Sequence, residues 1–175
     1  MQSFRQISPA ALDGVFDLIG RDWMLITAKG RAAGDKDIVN TMTASWGGMG
    51  ILWNKPVAFC FVRPQRYTYA LTEQAERFSL SFFEEKYREA LRLCGTKSGR
   101  EVDKFAAAGL TPVEVEGVPI IAEARLSLIC RKLYVDTLKE EGFLLPELLK
   151  NYTAKDFHRV YVVEIEKVLE RNEKI

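Results

Sequence analysis

The order of strand-like and helix-like segments along the chain most constrains its fold. Segments typical of strands occupy both ends of the sequence, and segments typical of helices cluster in the middle. The stretch Val57–Arg63, VAFCFVR, is almost continuously apolar, which predicts a strand buried on both faces. Long strands are predicted again at Ala122–Leu138 and His158–Leu169. Because helices and strands do not alternate regularly, we expect a mainly β protein with helical insertions, arranged as a barrel.

Shorter patterns predict the remaining elements, and no repeat or long Gly/Ser linker separates them. The chain has 175 residues, enough for one domain with a sizeable core, so we expect a single domain over residues 1–175. Further strands are predicted at Trp23–Lys29, Ile38–Ser45 and Arg77–Phe83, a polar turn at Gly30–Asp37, helices at about Arg66–Ala75, Glu84–Leu93 (with Gly95 ending it) and Val102–Ala108, and a helical turn at Pro146–Asn151.

Composition and charge argue against several kinds of partner. Lysine and arginine number 25 and acidic residues 24, so the net charge of +1 provides no bulk attraction to nucleic acid or membrane lipid. Charged residues and a proline interrupt the first 20 residues, which predicts neither a signal peptide nor a membrane span. Three widely spaced cysteines and one histidine do not suggest a metal site or a disulfide framework. We therefore expect a cytoplasmic protein with reduced thiols.

Polar side chains are concentrated in the stretch Asn40–Gly48, NTMTASWGG. Four hydroxyl or amide side chains fall within its first six positions, and glycines follow, where missing side chains would let a ligand approach the backbone. On a strand, a period of two places Thr41, Thr43 and Ser45 on one face. That row of hydroxyls could face solvent or a ligand.

A second stretch, Arg63–Tyr69 (RPQRYTY), has a proline where a helix is expected to begin. The free N–H groups of a helix start attract anions, and Arg66 and the Thr68 hydroxyl could complete such a site. The alternative is a surface arginine beside a helix-starting threonine. Together the two stretches offer donors, backbone access and aromatic walls, a mixture that suits an anionic, flat, half-apolar cofactor such as FMN.

A third candidate region surrounds Ser98. Lys104 and neighbouring basic residues give it positive charge, which would favour a phosphate. However, Ser98–Glu101 (SGRE) also has the pattern of a capping box for the helix that follows. Ser98 could therefore cap that helix without contacting a ligand.

Several segments, in this order, resemble the flavin reductase-like, FMN-binding split-barrel family, in particular its flavoredoxin-like branch. The resemblance covers nearly the whole chain and implies a Greek-key split β-barrel that forms a homodimer and holds FMN near the subunit interface. The matching segments are DWMLITA at 22–28, NTMTASWGG at 40–48, LWNKP at 52–56, RPQRYTY at 63–69, CGTKSG at 94–99, VDKF at 102–105 and HRVYVVEI at 158–165.

The resemblance also implies roles for individual segments. The segment matching Thr43–Trp46 lies along the flavin, the one matching Arg66–Thr68 takes the phosphate, and the CGTKSG and VDKF region closes over the cofactor. The predicted cofactor-binding residues are Asn40, Thr41, Met42, Thr43, Ala44, Ser45, Trp46, Trp53, Arg66, Tyr67, Thr68, Ser98 and Lys104.

His158 is the predicted catalytic residue, because many relatives carry a histidine ahead of the last strand, close to the flavin ring and the nicotinamide donor. The chain departs from the commonest pattern there: Phe157 replaces the aspartate of the usual Asp-His pair, and Val163 stands where glycine is frequent. The implied function is an NAD(P)H-dependent reductase that passes hydride from NADH or NADPH to flavin. The alternatives are a flavoredoxin-like electron carrier reduced by a partner protein, and a barrel without its cofactor.

Overall fold

A computed structural model describes residues 4–31 and 36–172 of the chain. Its main feature is an antiparallel sheet of eight strands with a separate two-stranded hairpin, which confirms the prediction of a mainly β protein. The strands are β1 (Phe4–Ile7), β2 (Met24–Arg31), β3 (Asp37–Ala44), β4 (Gly47–Leu52), β5 (Lys55–Val62), β6 (Arg77–Phe82), β7 (Pro112–Val115), β8 (Val118–Ile121), β9 (Leu126–Thr137) and β10 (Arg159–Arg171).

The three α-helices and the helical turn that begins at Pro146 lie close to where the sequence predicts them, whereas the turns at Pro9–Ala11, Asp17–Asp22 and Glu140–Gly142 are not predicted. The helices are α1 (Tyr67–Gln74), α2 (Arg88–Thr96) and α3 (Lys104–Ala108), with shorter 3₁₀ or π turns at Pro9–Ala11, Asp17–Asp22, Glu85–Tyr87, Glu140–Gly142 and Pro146–Tyr152. None of the helices in the described part of the chain is long and apolar enough to cross a membrane.

The sheet is organised around β10, its longest strand. The strand order is β3-β2-β6-β9-β10-β5-β4. One edge of β10 pairs with β9, whereas the other edge pairs with β5 over residues 159–164 and with β1 over residues 168–171. The β9–β10 register shifts twice, and such irregularities increase local twist and help a sheet curve. Residues at the start of β10 therefore lie beside the end of β5.

The interior is filled by large apolar side chains from most strands of the sheet. Tyr161, Phe78 and Phe82 are among the largest fully buried side chains, and all belong to one cluster. The prediction that the Val57–Arg63 strand, now β5, is buried on both faces is only partly right. Val57, Ala58, Cys60 and Val62 are buried, but Phe59 and Phe61 are half-buried because the second face of β5 is covered less completely.

Helix α1 is held firmly at its C-terminal end. Lys132 on β9 donates to the carbonyl oxygens of Thr72 and Glu73, at 2.8 and 2.9 Å. The Glu73 carboxylate in turn accepts hydrogen bonds from Tyr161 and Arg159 on β10. A cation at the negative end of the helix dipole is stabilising, and these bonds tie the helix to the sheet. The C-terminal end of α1 is consequently fixed relative to β9 and β10.

Two hairpins escape sequence-based detection. Strand β4 pairs with β5 through a turn at Trp53 and Asn54, which have φ values of 51° and 57°. Left-handed residues at both positions suit a tight hairpin, but such turns usually show glycine, so Trp-Asn hides the signal. Strands β7 and β8 are joined by Glu116 and Gly117, with φ values of 49° and 77°, and this turn does contain a glycine.

The helix ends differ from the expectations. Helix α2 continues through Gly95 to Thr96, so the prediction that Gly95 ends it is wrong. The predicted capping box is also wrong: the side chain of Asp103 caps α3 by accepting from two of its backbone N–H groups. Ser98 instead accepts from the Arg100 N–H in the preceding turn. Part of the predicted polar turn at Gly30–Asp37 lies outside the described residues.

Replacing Gly47 by alanine is expected to lower the free energy of unfolding by about 1–3 kcal/mol. A Cβ atom there would lie 2.7 Å from the carbonyl oxygen of Phe59, a main-chain atom held in the β4–β5 pairing. Gly50→Ala, in the same strand, is the matched control, because a Cβ atom at that position meets nothing within 4 Å. Urea denaturation of both variants checks this, and equal midpoints would contradict it.

Candidate functional site

A cavity of about 240 Å³ lies where the ends of β3 and β5 meet the start of α1 and His158. The sequence predicts all of its lining residues except Phe61 and Arg63. The lining residues are Met42, Thr43, Ala44, Ser45, Trp46, Phe61, Arg63, Arg66 and His158.

On β3, the hydroxyls of Thr41 and Thr43 form hydrogen bonds with other parts of the protein. Thr41 is fully buried, and its Oγ1 atom lies 2.9 Å from Oγ1 of Thr27. Thr43 lines the cavity while its hydroxyl donates to the carbonyl oxygen of Leu91. The Thr41 and Thr43 hydroxyls are thus both hydrogen-bonded to neighbouring elements, although Thr43 is only half-buried. The row therefore anchors α2 and β2 against β3 and leaves the backbone of 43–46 beside the cavity.

Arg66 lies at the junction of the cavity and two helices. It is the residue before α1, and its guanidinium group donates to the carbonyl oxygens of Gly95 and Cys94 at 2.7 and 3.2 Å. A guanidinium has five N–H groups, so these two bonds leave donors for a ligand. Burial lowers the pKa of Arg66, but the group stays charged.

Lys104 is a second cation at the same place and is only 3% exposed. Its Nζ atom donates to the carbonyl oxygens of Thr41 and Cys94, both at 2.8 Å. Burial, reinforced by the nearby Arg66 charge, lowers the pKa of Lys104 to about 8. An ammonium group has three N–H donors, and two are used. The third has no protein partner among the described residues.

The positive charges of Arg66 and Lys104 favour the binding of an anion at this site. Among the described residues, no carboxylate contacts Arg66 or Lys104, and both groups bond the Cys94 carbonyl. A buried charge normally requires an opposite charge or a full set of hydrogen bonds. A phosphate group would supply the missing charge and acceptors. The donor set therefore fits the phosphate end of the predicted cofactor.

A second hollow, of about 460 Å³, adjoins the cations and includes Asn40, Tyr67 and Lys104. Gly99 lines it and must be glycine, because a Cβ atom there would lie 2.2 Å from Oδ1 of Asn40. Thr68 is fully buried and accepts from the Asn40 amide at 2.9 Å. Asn40 and Thr68 thus join β3 to α1 below the cations.

His158 is enclosed by aromatic rings. Its imidazole lies 5.5 Å from the Trp46 ring, 6.2 Å from the Phe61 ring and 5.5 Å from the Tyr152 ring, measured between centroids. Its Nδ1 atom lies 2.8 Å from the Tyr152 hydroxyl. Burial lowers the pKa of His158 to about 4, and the nearby Arg63 charge acts in the same direction. The imidazole is therefore neutral at neutral pH.

Arg63 and Tyr152 are site residues that the sequence does not reveal. The Arg63 guanidinium pairs with the Asp156 carboxylate, donates to the Asn151 carbonyl oxygen at 2.8 Å, and lies 5.1 Å from the Tyr152 ring centroid. These contacts join the end of β5 to a segment about 90 residues away in the chain. Only the Arg63–Tyr69 motif hinted at Arg63, and no motif marked Tyr152.

Of the predicted cofactor-binding residues, Asn40, Tyr67 and Lys104 line the second hollow instead of the cavity, and Thr41, Thr68, Trp53 and Ser98 line neither. Trp53 lies at the tip of the β4–β5 hairpin, where its ring contacts Tyr134 at 6.5 Å between centroids. Ser98 lies in the turn between α2 and α3 and lines neither hollow. Their assignment to the cofactor site stays a prediction.

The low pKa of His158 predicts a loss of stability in acid. Its pKa falls from the ordinary value of 6.5 to about 4. Between these two values the histidine is protonated in the unfolded chain and neutral in the folded chain. The stability present above pH 6.5 should be lost as the pH falls towards 4, by about 2 kcal/mol at pH 5. Urea denaturation at pH 7 and pH 5 checks this against His158→Gln. The same loss in both proteins would contradict it.

Comparison with known proteins places this arrangement in a family. A curated relative from Aeropyrum pernix, called an uncharacterized protein, is 30% identical over 122 residues, covering 68% of this chain and 46% of that protein. The chain thus spans about half the length of that relative.

Solved structures share the fold. An FMN-binding protein from Thermus thermophilus with bound p-hydroxybenzaldehyde has a TM-score of 0.65 and 26% identity, over 97% of this chain and 82% of that one. Flavoredoxin from Methanosarcina acetivorans has a TM-score of 0.64 and 22% identity, over 88% and 70%. The predicted flavin reductase-like split-barrel fold is confirmed. Since residues 16–175 also match the model of the flavin reductase-like domain, this chain belongs to the flavin reductase-like domain family.

Proposed function

We propose that this chain binds FMN and is an NAD(P)H-dependent flavin reductase. The observation that carries the proposal is the pair of buried cations, Arg66 and Lys104, beside a cavity that also includes His158. The FMN-binding protein from Thermus thermophilus supports the choice of cofactor, since it is 26% identical over 97% of this chain.

The residues present suit each part of that cofactor. Arg66 and Lys104 would hold the phosphate through charge-assisted hydrogen bonds, which are stronger than neutral ones. The backbone of 43–46 and the rings of Trp46 and Phe61 provide a partly apolar wall for the flat ring. Trp46 is 49% exposed, so this wall also borders the solvent from which a second molecule would arrive.

The protein groups have simple tasks in such a reaction. When bound, FMN supplies a centre that accepts hydride from a nicotinamide and passes electrons to a free flavin or another acceptor. Arg66 and Lys104 would bind and orient its phosphate. Because His158 is neutral and buried, it is suited to hydrogen bonding at the cavity rather than to carrying charge.

A flavoredoxin-like electron carrier is the second candidate. Phe157, which stands at the position of the aspartate in the usual Asp-His pair, stacks on Tyr152 with ring centroids 5.0 Å apart. Asp156, the neighbouring acid, is committed to Arg63 and Gln65. The carboxylate expected beside the histidine is therefore replaced by an apolar ring. A carrier reduced by a partner protein does not need a nicotinamide site.

A homodimer is part of the same proposal. Ile51, Trp53 and Tyr134 expose 74%, 56% and 48% of their surface. Trp53 and Tyr134 also contact each other, so they form a joint aromatic surface. Exposed aromatic clusters are typical of protein contacts, which supports a second copy of the chain at this face.

Arg66→Ala is expected to weaken FMN binding by about one to two orders of magnitude, because a charge-assisted hydrogen bond contributes roughly 1.5–3 kcal/mol. Calorimetric or fluorescence titration with FMN measures the change. Arg92→Ala is the matched control: it removes the same charge from the exposed side of α2, where Arg92 pairs with Glu89. Unchanged affinity in the Arg66 variant would remove the phosphate assignment.

The two candidate functions separate in an anaerobic stopped-flow experiment. FMN-loaded protein is mixed with NADH or NADPH, and the flavin absorption band is followed. The reductase predicts rapid bleaching with at least one nicotinamide. No bleaching over minutes with either nicotinamide, in protein that binds FMN, would reject the reductase and leave the carrier.

A further inference from the structure

The hydrogen-bond partners of His158 identify which ring nitrogen faces the cavity. Nδ1 lies 2.8 Å from the Tyr152 hydroxyl, and Nε2 has no protein partner among the described residues. No buried side-chain nitrogen or oxygen lacks a partner in the described part of the chain. Nε2 is therefore not sealed in the interior, and His158 lines the cavity. The unpartnered nitrogen is the one accessible from the cavity.

The number of hydrogen-bond donors and acceptors at this contact determines the tautomer of His158. If Nδ1 carried the proton, it would donate to the Tyr152 oxygen, and the buried hydroxyl proton would need another acceptor. No other hydrogen bond of that hydroxyl exists among the described residues. A buried donor without an acceptor is unfavourable. If Tyr152 donates to Nδ1, both buried groups are satisfied, and the imidazole proton is on Nε2.

The position of Tyr152 is fixed from several sides. Phe157 stacks on one face of its ring system, and the Arg63 guanidinium lies 5.1 Å from the ring centroid. Arg63 is held by Asp156 and by the carbonyl oxygen of Asn151, the residue before Tyr152. Tyr152 itself is only 7% exposed. Its hydroxyl is thus a fixed donor rather than a mobile surface group.

The charges around the imidazole agree with a neutral ring. The charged groups that act on it are Arg63, which disfavours the imidazolium, and Asp156, which favours it. Asp156 bonds Arg63 and Gln65 instead of the imidazole. The apolar rings of Trp46 and Phe61 also lie near the imidazole, at 5.5 and 6.2 Å between centroids.

We propose that Tyr152 is a positioning residue that holds His158 as the Nε2–H tautomer, so that the imidazole offers a neutral N–H donor to an acceptor atom of the molecule in the cavity. His158 then acts as a hydrogen-bond donor and not as a proton carrier. The role towards a bound molecule rests on the proposed function, whereas the tautomer does not.

The tautomer can be observed directly in the FMN-free protein, because the chain contains one histidine. Long-range ¹H–¹⁵N correlation spectra of ¹⁵N-labelled protein distinguish Nδ1–H from Nε2–H. We expect the Nε2–H form at pH 7 and no imidazolium down to about pH 5. A dominant Nδ1–H form would overturn the proposal.

Tyr152→Phe tests the positioning role while keeping the ring that packs on Phe157. Without the hydroxyl donor, the spectra should show a mixture of tautomers, and the pKa of His158 should rise. Tyr134→Phe is the matched control, because the Tyr134 hydroxyl is exposed and bonds Asp136 instead. Unchanged tautomer and titration in Tyr152→Phe would overturn the proposal.

The rate at which a nicotinamide reduces the FMN-loaded protein tests the role of His158 as a donor. In FMN-loaded protein, reduction by a nicotinamide should show no titration between about pH 5.5 and 7.5, and Tyr152→Phe should slow it about threefold to tenfold. A rate that follows protonation of His158 would overturn the donor role. Failure to bind FMN or to be reduced would instead reject the proposed function, with the spectra still deciding the tautomer.

Discussion

The carbonyl oxygen of Cys94, at the end of α2, is the point on which the site depends. It accepts hydrogen bonds from Arg66, which precedes α1, and from Lys104, which begins α3. Lys104 also reaches the Thr41 carbonyl on β3. One sheet strand and three helices are therefore joined by two cations at the negative end of a helix dipole. The same bonds that assemble the fold concentrate positive charge beside the cavity.

The other half of the cavity has the opposite character. Around His158 the side chains are aromatic, and the imidazole is neutral because burial opposes its protonation. A cofactor with an anionic tail and a flat, half-apolar ring needs cations near its tail and apolar rings near its ring, close enough for one molecule to contact both. Under the proposed function, Arg66 and Lys104 would hold the phosphate, and the aromatic rings near His158 would contact the flavin.

Sequence reasoning found the local half of this site. Met42 to Trp46, Arg66 and His158 were recognisable because each belongs to a short run with its own polar or family pattern, and the structure brings them to one cavity. Ser98 and Trp53 carried similar signals but lie elsewhere. Ser98 lies in the turn between α2 and α3, and Trp53 lies at the tip of the β4–β5 hairpin, so neither lines the cavity.

The sequence by itself determined the succession of strands and helices, since apolar periodicity and breaker residues act over a few neighbouring positions. It also determined the family, through the order of its motifs. Only the tertiary structure decided that Tyr152 meets His158, that Arg63 meets Asp156 and that Lys104 meets Arg66 at one carbonyl. Protonation states follow from burial and from charges distant along the chain, so only the tertiary structure shows that burial and the Arg63 charge keep His158 neutral.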